Sequence, residues 1–274
     1  MIFDCHFHVI ASTHEYPMVA GRSYTPEPAS LARWKATLGP LGVTHGVVVQ
    51  PSFYGTDNSV LLSALNQEPH RLVGVAAVDV HVKDAELNRL TAAGVKGVRM
   101  AHFEEGDPRC GGGFVKFSAF QPLLQRLRDH GLHLQLFTDS RLLPDITDQL
   151  ANADIPIVID HMGRAPAELG PDHDGIRAMR QLLTLGQVWI KLSGIANISD
   201  QALDFANVRG IHESLIDARS DRLIWGSDWP HTRPSGRKPD ARQLLHLFQT
   251  WTPKDLQPGI LAGNPAKLYG FAET

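Results

Sequence analysis

Segments typical of buried strands alternate with segments of helical periodicity along almost the whole chain. Eight apolar runs have the length and composition of strands: Ile2–Val9, Gly46–Gln50, Leu72–Val78, Val95–Met100, Leu132–Phe137, Ile155–Ile159, Val188–Leu192 and Leu223–Trp225. The helical segments are Pro28–Leu38, Asn58–Leu65, Ala85–Ala93, Ser118–His130, Arg141–Ala151, Ile176–Leu185, Gln201–Ala218 and Asp240–Thr250. Such alternation predicts a parallel sheet, and eight units are the number that closes a (β/α)8 barrel, the TIM barrel.

An open, doubly wound sheet is the competing architecture for the same alternation. That class carries a G-x-G-x-x-G motif after an early strand, and no early strand here is followed by one. The candidate reactive residues are spread over the first, sixth and eighth runs, and only closure brings those strand ends together. No repeat, low-complexity tract or linker divides the chain, so we predict a single α/β domain over residues 1–274.

The composition narrows the class of partner. The chain has 43% hydrophobic residues, a net charge of −3 and no marked basic patch, so nucleic acid is not an expected partner. No apolar run approaches the roughly 20 residues that span a bilayer. The N-terminus starts with a strand-like run, so we expect no membrane partner and a cytoplasmic location. Two cysteines, Cys5 and Cys110, are too few for a disulfide framework and should be reduced.

Two histidines lie close together near the end of the first run, in the pattern D-x-H-x-H. Strand alternation turns His6 and His8 to one face, with Asp4 beneath them and with Cys5 and Phe7 opposite. Two imidazoles at one strand end can bind a metal ion or hold a substrate carbonyl. The pattern therefore marks a candidate site.

Two further titratable residues stand at the carboxyl ends of later runs. His161 follows the sixth run and Asp228 follows the eighth, with Gly226 on the same inward face leaving room beneath the carboxylate. Barrel enzymes place their reactive groups at these strand ends. We therefore predict that His6, His8, His161 and Asp228 form the catalytic set.

Two connections are too long to be plain turns. They are Val9–Pro28, after the first run, and Ala101–Phe117, which contains three consecutive glycines. Loops that follow barrel strands build the active site. We interpret both as segments that cover the substrate.

Several motifs spread over the chain resemble one known superfamily. They are D-x-H-x-H in the first run, Gln50-Pro51-Ser52, Gly55-Thr56-Asp57-Asn58, Ile159-Asp160-His161-Met162-Gly163-Arg164, Lys191-Leu192-Ser193-Gly194 and Gly226-Ser227-Asp228-Trp229-Pro230-His231. They look like the amidohydrolase superfamily, of the amidohydrolase 2 type. They are most similar to its branch of lactone hydrolases that contains 2-pyrone-4,6-dicarboxylate lactonase.

The resemblance implies a (β/α)8 barrel and lactone hydrolysis, with Asp228 matching the residue that activates water. Such chemistry suits the residues, because a carboxylate can take a proton from water while nearby histidines stabilise charge on the carbonyl oxygen. Covalent catalysis is not expected, since no G-x-S-x-G elbow occurs and Cys5 faces away in this interpretation.

A second metal ion is not expected. Members of the superfamily with two metals use a lysine or glutamate and a second histidine from the middle strands, whereas those runs here offer Arg99, Met100, Gln135, Phe137 and Ser193. One Zn²⁺ could still be held by His6, His8, His161 and Asp228. The lactone hydrolases that the chain resembles work without metal, and Arg99 would repel a cation, so we predict metal-independent catalysis without a cofactor.

Recognition of an anionic lactone is predicted to rest on two arginines. Arg99 matches an arginine that grips a carboxylate in the lactonase that the chain resembles, and Arg164 lies near His161. A guanidinium suits bidentate binding of a carboxylate. Additional hydrogen bonds to the substrate are predicted from Tyr24, Ser52, His102 and His231.

The chain departs from the dicarboxylate lactonase at several positions. Glu104, Glu105 and Asp107 stand where that enzyme has another arginine, Phe137 replaces a tyrosine, and Leu192–Asp200 contains no arginine. A dianion would meet too little positive charge. We therefore hypothesise a lactone with one carboxylate, or a sugar-acid lactone.

Two other functions remain open from the sequence. One is a mononuclear zinc decarboxylase or hydratase of aromatic acids, a branch that shares the histidines and the late aspartate. The other is a catalytically silent barrel that binds a small anion. Bound metal together with release of CO₂ would identify the decarboxylase. An Asp228→Asn variant whose behaviour scarcely differs from wild type would identify the anion-binding barrel.

Overall fold

Eight parallel strands follow one another around the sheet in sequence order, which confirms the predicted barrel. The computed structural model describes residues 1–107, 117, 121–199, 204–232 and 238–271. The strands are β1 (Ile2–Phe7), β2 (Val43–Val49), β3 (Leu72–Ala76), β4 (Val95–His102), β5 (His133–Thr138), β6 (Ile157–Ile159), β7 (Val188–Leu192) and β8 (Leu223–Trp225). Each predicted run therefore overlaps a strand, and the ends differ by at most a few residues.

Helices connect the strands and pack on the outside of the sheet. They are α1 (Leu31–Leu38), α2 (Ser59–Gln67), α3 (Asp84–Ala92), α4 (Gln121–Asp129), α5 (Leu143–Ala151), α6 (Asp174–Thr184), α7 (Arg209–Arg219), α8 (Ala241–Trp251) and α9 (Asn264–Tyr269). Helix α7 begins later than predicted, because Phe205 has a φ of 50° and cannot belong to a right-handed helix. Helix α9, preceded by a π-helical turn over Gly259–Gly263, was not predicted.

The barrel closes where the segment after β8 meets β1. The backbone N–H of Asp228 donates to the carbonyl of His6 at 2.8 Å, and the N–H of His8 donates to the carbonyl of Trp229 at 2.9 Å. A Cβ at Gly226 would lie 2.8 Å from the His6 Cβ, so only glycine permits this approach. Gly226 therefore makes room for β1 rather than for the Asp228 carboxylate.

Two apolar layers share the strands. The side chains of Val47, Val49, Val73 and Val75 fill the barrel interior, together with those of other strands, and a second set on the opposite faces packs against the helices. Tyr269 belongs to the interior cluster and is buried. Helix α9 therefore covers one end of the barrel and leaves the carboxyl ends of the strands for a site.

The first strand departs from the alternation predicted for it. Its pairing with β2 shifts register between Asp4 and Phe7. Asp4 accepts hydrogen bonds from Trp34 Nε1 at 2.9 Å and from Ser227 Oγ at 2.6 Å, while Cys5 joins the interior cluster. The prediction that Asp4 lies beneath the histidines and that Cys5 faces away is therefore wrong, because the irregularity puts Cys5 and His6 on the same side.

Among the residues that the structure describes, no helix is both long enough and apolar enough to pass through a bilayer. Cys5 is a buried free thiol. Cys110 and most of the predicted covering segment Ala101–Phe117 lie outside the described residues.

Candidate active site

A cavity of about 170 Å³ opens at the carboxyl ends of the strands. Its lining includes His8, Ser23, Tyr24, Pro51, Ser52, Arg99, Phe137, His161, Arg164, Ala196, Asn197, Asp228, His231, Thr232, Lys238 and Pro239. The cavity thus brings together nearly all the residues that the sequence predicted for catalysis and substrate binding. The loop after β1 contributes Ser23 and Tyr24 to the cavity lining.

Three imidazoles converge on one carboxylate oxygen. The Nε2 atoms of His6, His8 and His161 lie 3.8, 3.9 and 3.7 Å from Oδ1 of Asp228. His6 is fully buried beneath the cavity, whereas the other three residues line it. The spacing is longer than a direct hydrogen bond, so the four groups surround a position that a water molecule or a substrate oxygen can take.

The Asp228 carboxyl is oriented by a residue that the sequence did not reveal. Asn197 Nδ2 donates to Asp228 Oδ2 at 2.9 Å, which leaves Oδ1 directed at the imidazoles. Burial raises the pKa of Asp228 to about 7, against the hydrogen bond from Asn197 and the positive charge of Arg99, which both lower it. A base whose pKa lies near neutral pH suits the removal of a proton from water.

The Nδ1 atoms of His8 and His161 are each held by a neighbour. The Nδ1–H of His8 donates to the carbonyl of Val49 at 2.7 Å, and His161 Nδ1 lies 2.9 Å from Ser193 Oγ. Burial lowers the pKa of His8 to about 3 and that of His161 well below its usual value. Both imidazoles are therefore neutral at neutral pH and fixed in orientation.

Several residues at the site have backbone conformations that are rare for residues other than glycine. His161, Arg164, Asp228 and His231 all have φ values between 50° and 60°. Such conformations persist where the surrounding structure enforces them, and they are typical of functional sites. Gly194, with a φ of 66°, leaves space for the His161 ring, since a Cβ there would lie 2.5 Å from His161 Nδ1.

A network of charged and polar side chains fills the barrel interior beneath the cavity. Asp160 Oδ2 accepts from Arg99 Nε at 2.8 Å and from Gln135 Nε2 at 3.1 Å. Asp160 Oδ1 lies 3.3 Å from Lys191 Nζ and 3.2 Å from His6 Nδ1. Burial alone would raise the pKa of Asp160, but Lys191 and Arg99 together hold it well below its usual value.

This interior network was missed as part of the site, although the sequence carries a signal for it. Asp160 and Lys191 are charged residues inside or next to otherwise apolar strand runs. A charge in such a run is buried and therefore needs a partner. Only the fold shows that these two residues are partners of each other and of His6.

Two guanidinium groups flank one aromatic ring in the cavity wall. The Cζ of Arg99 lies 4.5 Å from the centre of the Phe137 ring, and the Cζ of Arg164 lies 5.5 Å from it. Arg164 Nη2 also donates to the carbonyl of Asn197 at 3.4 Å. Phe137 thus separates two cations that both reach the cavity, which suits recognition of an anion.

Further polar groups line the cavity. Tyr24 Oη and Thr232 Oγ1 are 2.8 Å apart, and Ser52 and His231 also line the cavity. Burial lowers the pKa of His231 to about 4, so its ring is neutral. Lys238 lines the cavity as well and was not foreseen, because nothing in its local sequence distinguishes it from a surface lysine.

His102 does not line this cavity, although the sequence placed it among the substrate-binding residues. Its ring packs against Phe117, with 5.6 Å between ring centres. His102 is the last residue of β4 and lies three positions after Arg99. Successive side chains of a strand point to opposite faces, so the His102 side chain lies on the face opposite that of Arg99.

The donor atoms of the site suit one metal ion by distance. His6, His161 and Asp228 each offer a ligand atom within 4.8 Å of the others, and His8 Nε2 lies 3.9 Å from Asp228 Oδ1. Tetrahedral zinc binds three or four such ligands.

The surrounding charges oppose a metal ion. Among the described residues, positive side chains near these atoms include those of Arg99, Arg164, Lys191 and Lys238, and the carboxylates are Asp160 and Asp228. A divalent cation would lie close to these positive groups in a buried environment, where like charges repel strongly.

Comparisons with known proteins agree with this architecture. A 4-sulfomuconolactone hydrolase from Rhizobium radiobacter is 34% identical over 271 residues, which cover 98% of this chain and 89% of that protein. A 2-pyrone-4,6-dicarboxylate hydrolase from Comamonas testosteroni is 29% identical over 279 residues, covering 97% and 89%.

A solved structure extends the likeness to three dimensions. A protein from Acinetobacter baumannii, described as a probable 2-pyrone-4,6-dicarboxylic acid hydrolase with citric acid bound, superposes with a TM-score of 0.86 at 29% identity. That comparison covers 98% of this chain and 99% of the other. The family model described as amidohydrolase matches residues 3–271. The chain therefore belongs to the amidohydrolase family.

Proposed function

We propose that this protein hydrolyses a small lactone that carries a carboxylate, with Asp228 as the general base. The observation that carries the proposal is the convergence of three imidazole Nε2 atoms on Asp228 Oδ1, at 3.7 to 3.9 Å, at the bottom of a small cavity. The named relatives, which are hydrolases of lactones, support the same reaction.

The reaction follows from the positions of the groups. Ionised Asp228 takes a proton from a water molecule whose oxygen attacks the lactone carbonyl carbon. The carbonyl oxygen gains negative charge, which the N–H group of a neighbouring histidine stabilises. The ring C–O bond then breaks, and the proton on Asp228 passes to the departing alkoxide. The products are a hydroxyl and a carboxylic acid on one chain.

Substrate recognition is proposed for the two guanidinium groups at the Phe137 ring. Arg164 and Arg99 would bind the carboxylate of the substrate, while Ser52, Tyr24 and His231 would hydrogen-bond its remaining oxygens. Arg99 already pairs with Asp160, so part of its charge is neutralised. A lactone with one carboxylate, or a sugar-acid lactone, therefore fits better than the pyrone dicarboxylate.

A panel of lactones assayed by acid release tests this function. It contains 4-sulfomuconolactone, 2-pyrone-4,6-dicarboxylate, muconolactone and 1,5-lactones of sugar acids, with Asp228→Asn as the inactive control. Turnover of a lactone with one carboxylate or of a sugar-acid lactone, abolished in Asp228→Asn, is expected. Rapid turnover of the pyrone dicarboxylate alone would overturn the substrate class, and no turnover of any lactone would overturn the function.

We also propose that the reaction needs no metal ion, because positive side chains lie close to the atoms that would bind it. Elemental analysis of protein purified without added zinc, with activity compared before and after chelation, tests this. Full activity in metal-free protein is expected. Activity that disappears with one equivalent of zinc and returns when zinc is restored would overturn the proposal, and release of CO₂ from an aromatic acid would point to the decarboxylase branch.

A further inference from the structure

Lys191 is a buried cation that the reaction outlined above does not use. It projects from β7 into the barrel interior and has no solvent exposure. Its Nζ lies 2.7 Å from Gln135 Oε1, 3.2 Å from His6 Nδ1 and 3.3 Å from Asp160 Oδ1. An ammonium group has three N–H donors, and three potential acceptors surround this one.

The contact with His6 decides where that ring carries its proton. An ammonium group can only donate, so His6 Nδ1 must accept from Lys191 and cannot itself hold a hydrogen. Asp160 Oδ1 is also 3.2 Å from Nδ1, but it receives no hydrogen bond of acceptable geometry from any described residue. The hydrogen of the neutral ring therefore lies on Nε2.

We propose that Lys191 is a positioning residue that holds His6 in the tautomer with hydrogen on Nε2, so that His6 presents an N–H donor to the floor of the active site. His6 Nε2 has no hydrogen-bond partner among the described residues, and it points at the position shared by Asp228 Oδ1 and the other two imidazoles. A substrate oxygen at that position would receive this hydrogen bond.

His8 has the opposite tautomer for an equally physical reason. Its Nδ1 faces the carbonyl of Val49, which can only accept, so Nδ1 carries the hydrogen and Nε2 presents a lone pair. Two histidines of one strand end therefore offer one donor and one acceptor to the same position. Such a pair suits a site where water must be held by its hydrogen and a carbonyl oxygen must be stabilised by an N–H.

The same tautomer makes His6 a poor metal ligand. A metal ion binds the lone pair of an imidazole nitrogen, so His6 Nε2 would have to lose its hydrogen first. That change needs Nδ1 to take up a hydrogen and Lys191 to give up its hydrogen bond. Lys191 therefore favours hydrolysis without metal, and for this consequence the inference rests on the proposed function.

The test of the tautomer is independent of any substrate. Long-range ¹H–¹⁵N correlation spectra of the full-length protein, labelled in histidine, distinguish protonated from unprotonated ring nitrogens, and a His6→Gln variant assigns the His6 signals. We expect protonated Nε2 and unprotonated Nδ1 in the wild type. A wild-type spectrum at pH 7.5 that shows a protonated Nδ1 or a charged ring would by itself overturn the proposal.

Two variants separate the hydrogen bond from the charge of Lys191. Lys191→Gln keeps a side-chain donor but no charge, whereas Lys191→Met removes both. We expect His6 to keep its tautomer in Lys191→Gln and to shift toward protonated Nδ1 in Lys191→Met. Circular dichroism and thermal unfolding establish that each variant is folded before its spectrum is compared with the wild type.

Kinetics and zinc titration give the functional consequence. With the lactone identified from the panel, kcat of Lys191→Met should fall about 10- to 100-fold with little change in KM, and Lys191→Gln should lie closer to wild type. Zinc should bind Lys191→Met about 10-fold more tightly than wild type. Unchanged kcat and zinc affinity in Lys191→Met would overturn the proposed role of Lys191. If no lactone of the panel were turned over, the hydrolase function would be overturned, and the spectra would still decide the tautomer of His6.

Discussion

In the proposed reaction, protonation of Asp228 limits the rate at low pH. Burial raises its pKa to about 7, and only the ionised carboxylate can take a proton from water. The value of kcat/KM should therefore rise with pH below about 7 and level off above it. A pH–rate profile from pH 5 to 9 measures this, and a profile already flat from pH 5 upward would mean that Asp228 ionises as an ordinary exposed carboxyl.

The same carboxyl should weaken the fold as pH rises. Its raised pKa means that the native state binds the proton more tightly than the unfolded chain does, so wild type loses stability between about pH 4 and pH 7. The asparagine side chain in Asp228→Asn does not titrate. The free energy of unfolding of this variant minus that of wild type should therefore increase by about 2 kcal/mol from pH 5 to pH 8. Urea unfolding measures the difference, with the exposed Asp172→Asn expected to stay level with wild type.

Asn197 should tune the same titration. Its amide donates to Asp228 Oδ2 and lowers the pKa of the carboxyl. In Asn197→Ala the midpoint of the pH–rate profile should move to higher pH, and kcat/KM at pH 7 should fall about 10-fold, with partial recovery at pH 9. Asn152→Ala, at the exposed end of α5, is the control. An unmoved midpoint would remove Asn197 from the mechanism.

Residues at the site could be predicted where a motif or a strand end marked them. His6, His8, His161 and Asp228 were found in this way, because barrel geometry brings strand ends together. Asn197 was not, since it lies in a short turn whose direction depends on the fold. His102 was also assigned to the site, but its ring packs against Phe117 and does not line the cavity.

At the scale of elements, the junction of β1 and β8 depends on one glycine. A Cβ at Gly226 would lie 2.8 Å from both the Cβ and the backbone nitrogen of His6, so Gly226→Ala must displace one of the two chain segments. We expect a loss of about 1–3 kcal/mol of stability and a loss of activity, because His6 and Asp228 both adjoin the contact. Gly39→Ala, which meets no atom within 4 Å, is the matched control for urea unfolding and kinetics. Equal stability of both variants would contradict the close approach.

Hydrophobic periodicity predicted the elements well and their irregularities poorly. Every apolar run became a strand, since burial against helices demands apolar residues on the strands. The irregular pairing of β1 could not be predicted, because a regular strand and a strand with a register shift can have the same pattern of apolar residues. The short helix α9 has too few turns for its periodicity to stand out.

At the scale of the whole molecule, the barrel interior is polar toward the carboxyl ends of the strands and apolar toward their other ends. Tyr269 belongs to the apolar part, and its hydroxyl has no hydrogen-bond partner among the described residues. Tyr269→Ala should therefore lose about 3–5 kcal/mol of stability, whereas Tyr269→Phe should be neutral or slightly stabilising. Thermal and urea unfolding measure both variants. A large loss in Tyr269→Phe would reveal a partner for the hydroxyl.

The two hydrogen bonds that join the end of β8 to β1 give the barrel a particular way of failing. They run between Asp228 and His6 and between His8 and Trp229, so three of the four residues that close the ring are residues proposed for the chemistry. An opened ring separates the base from its imidazoles, whatever else remains folded. Regain of enzymatic turnover during refolding should consequently report the moment at which the first and last strands meet.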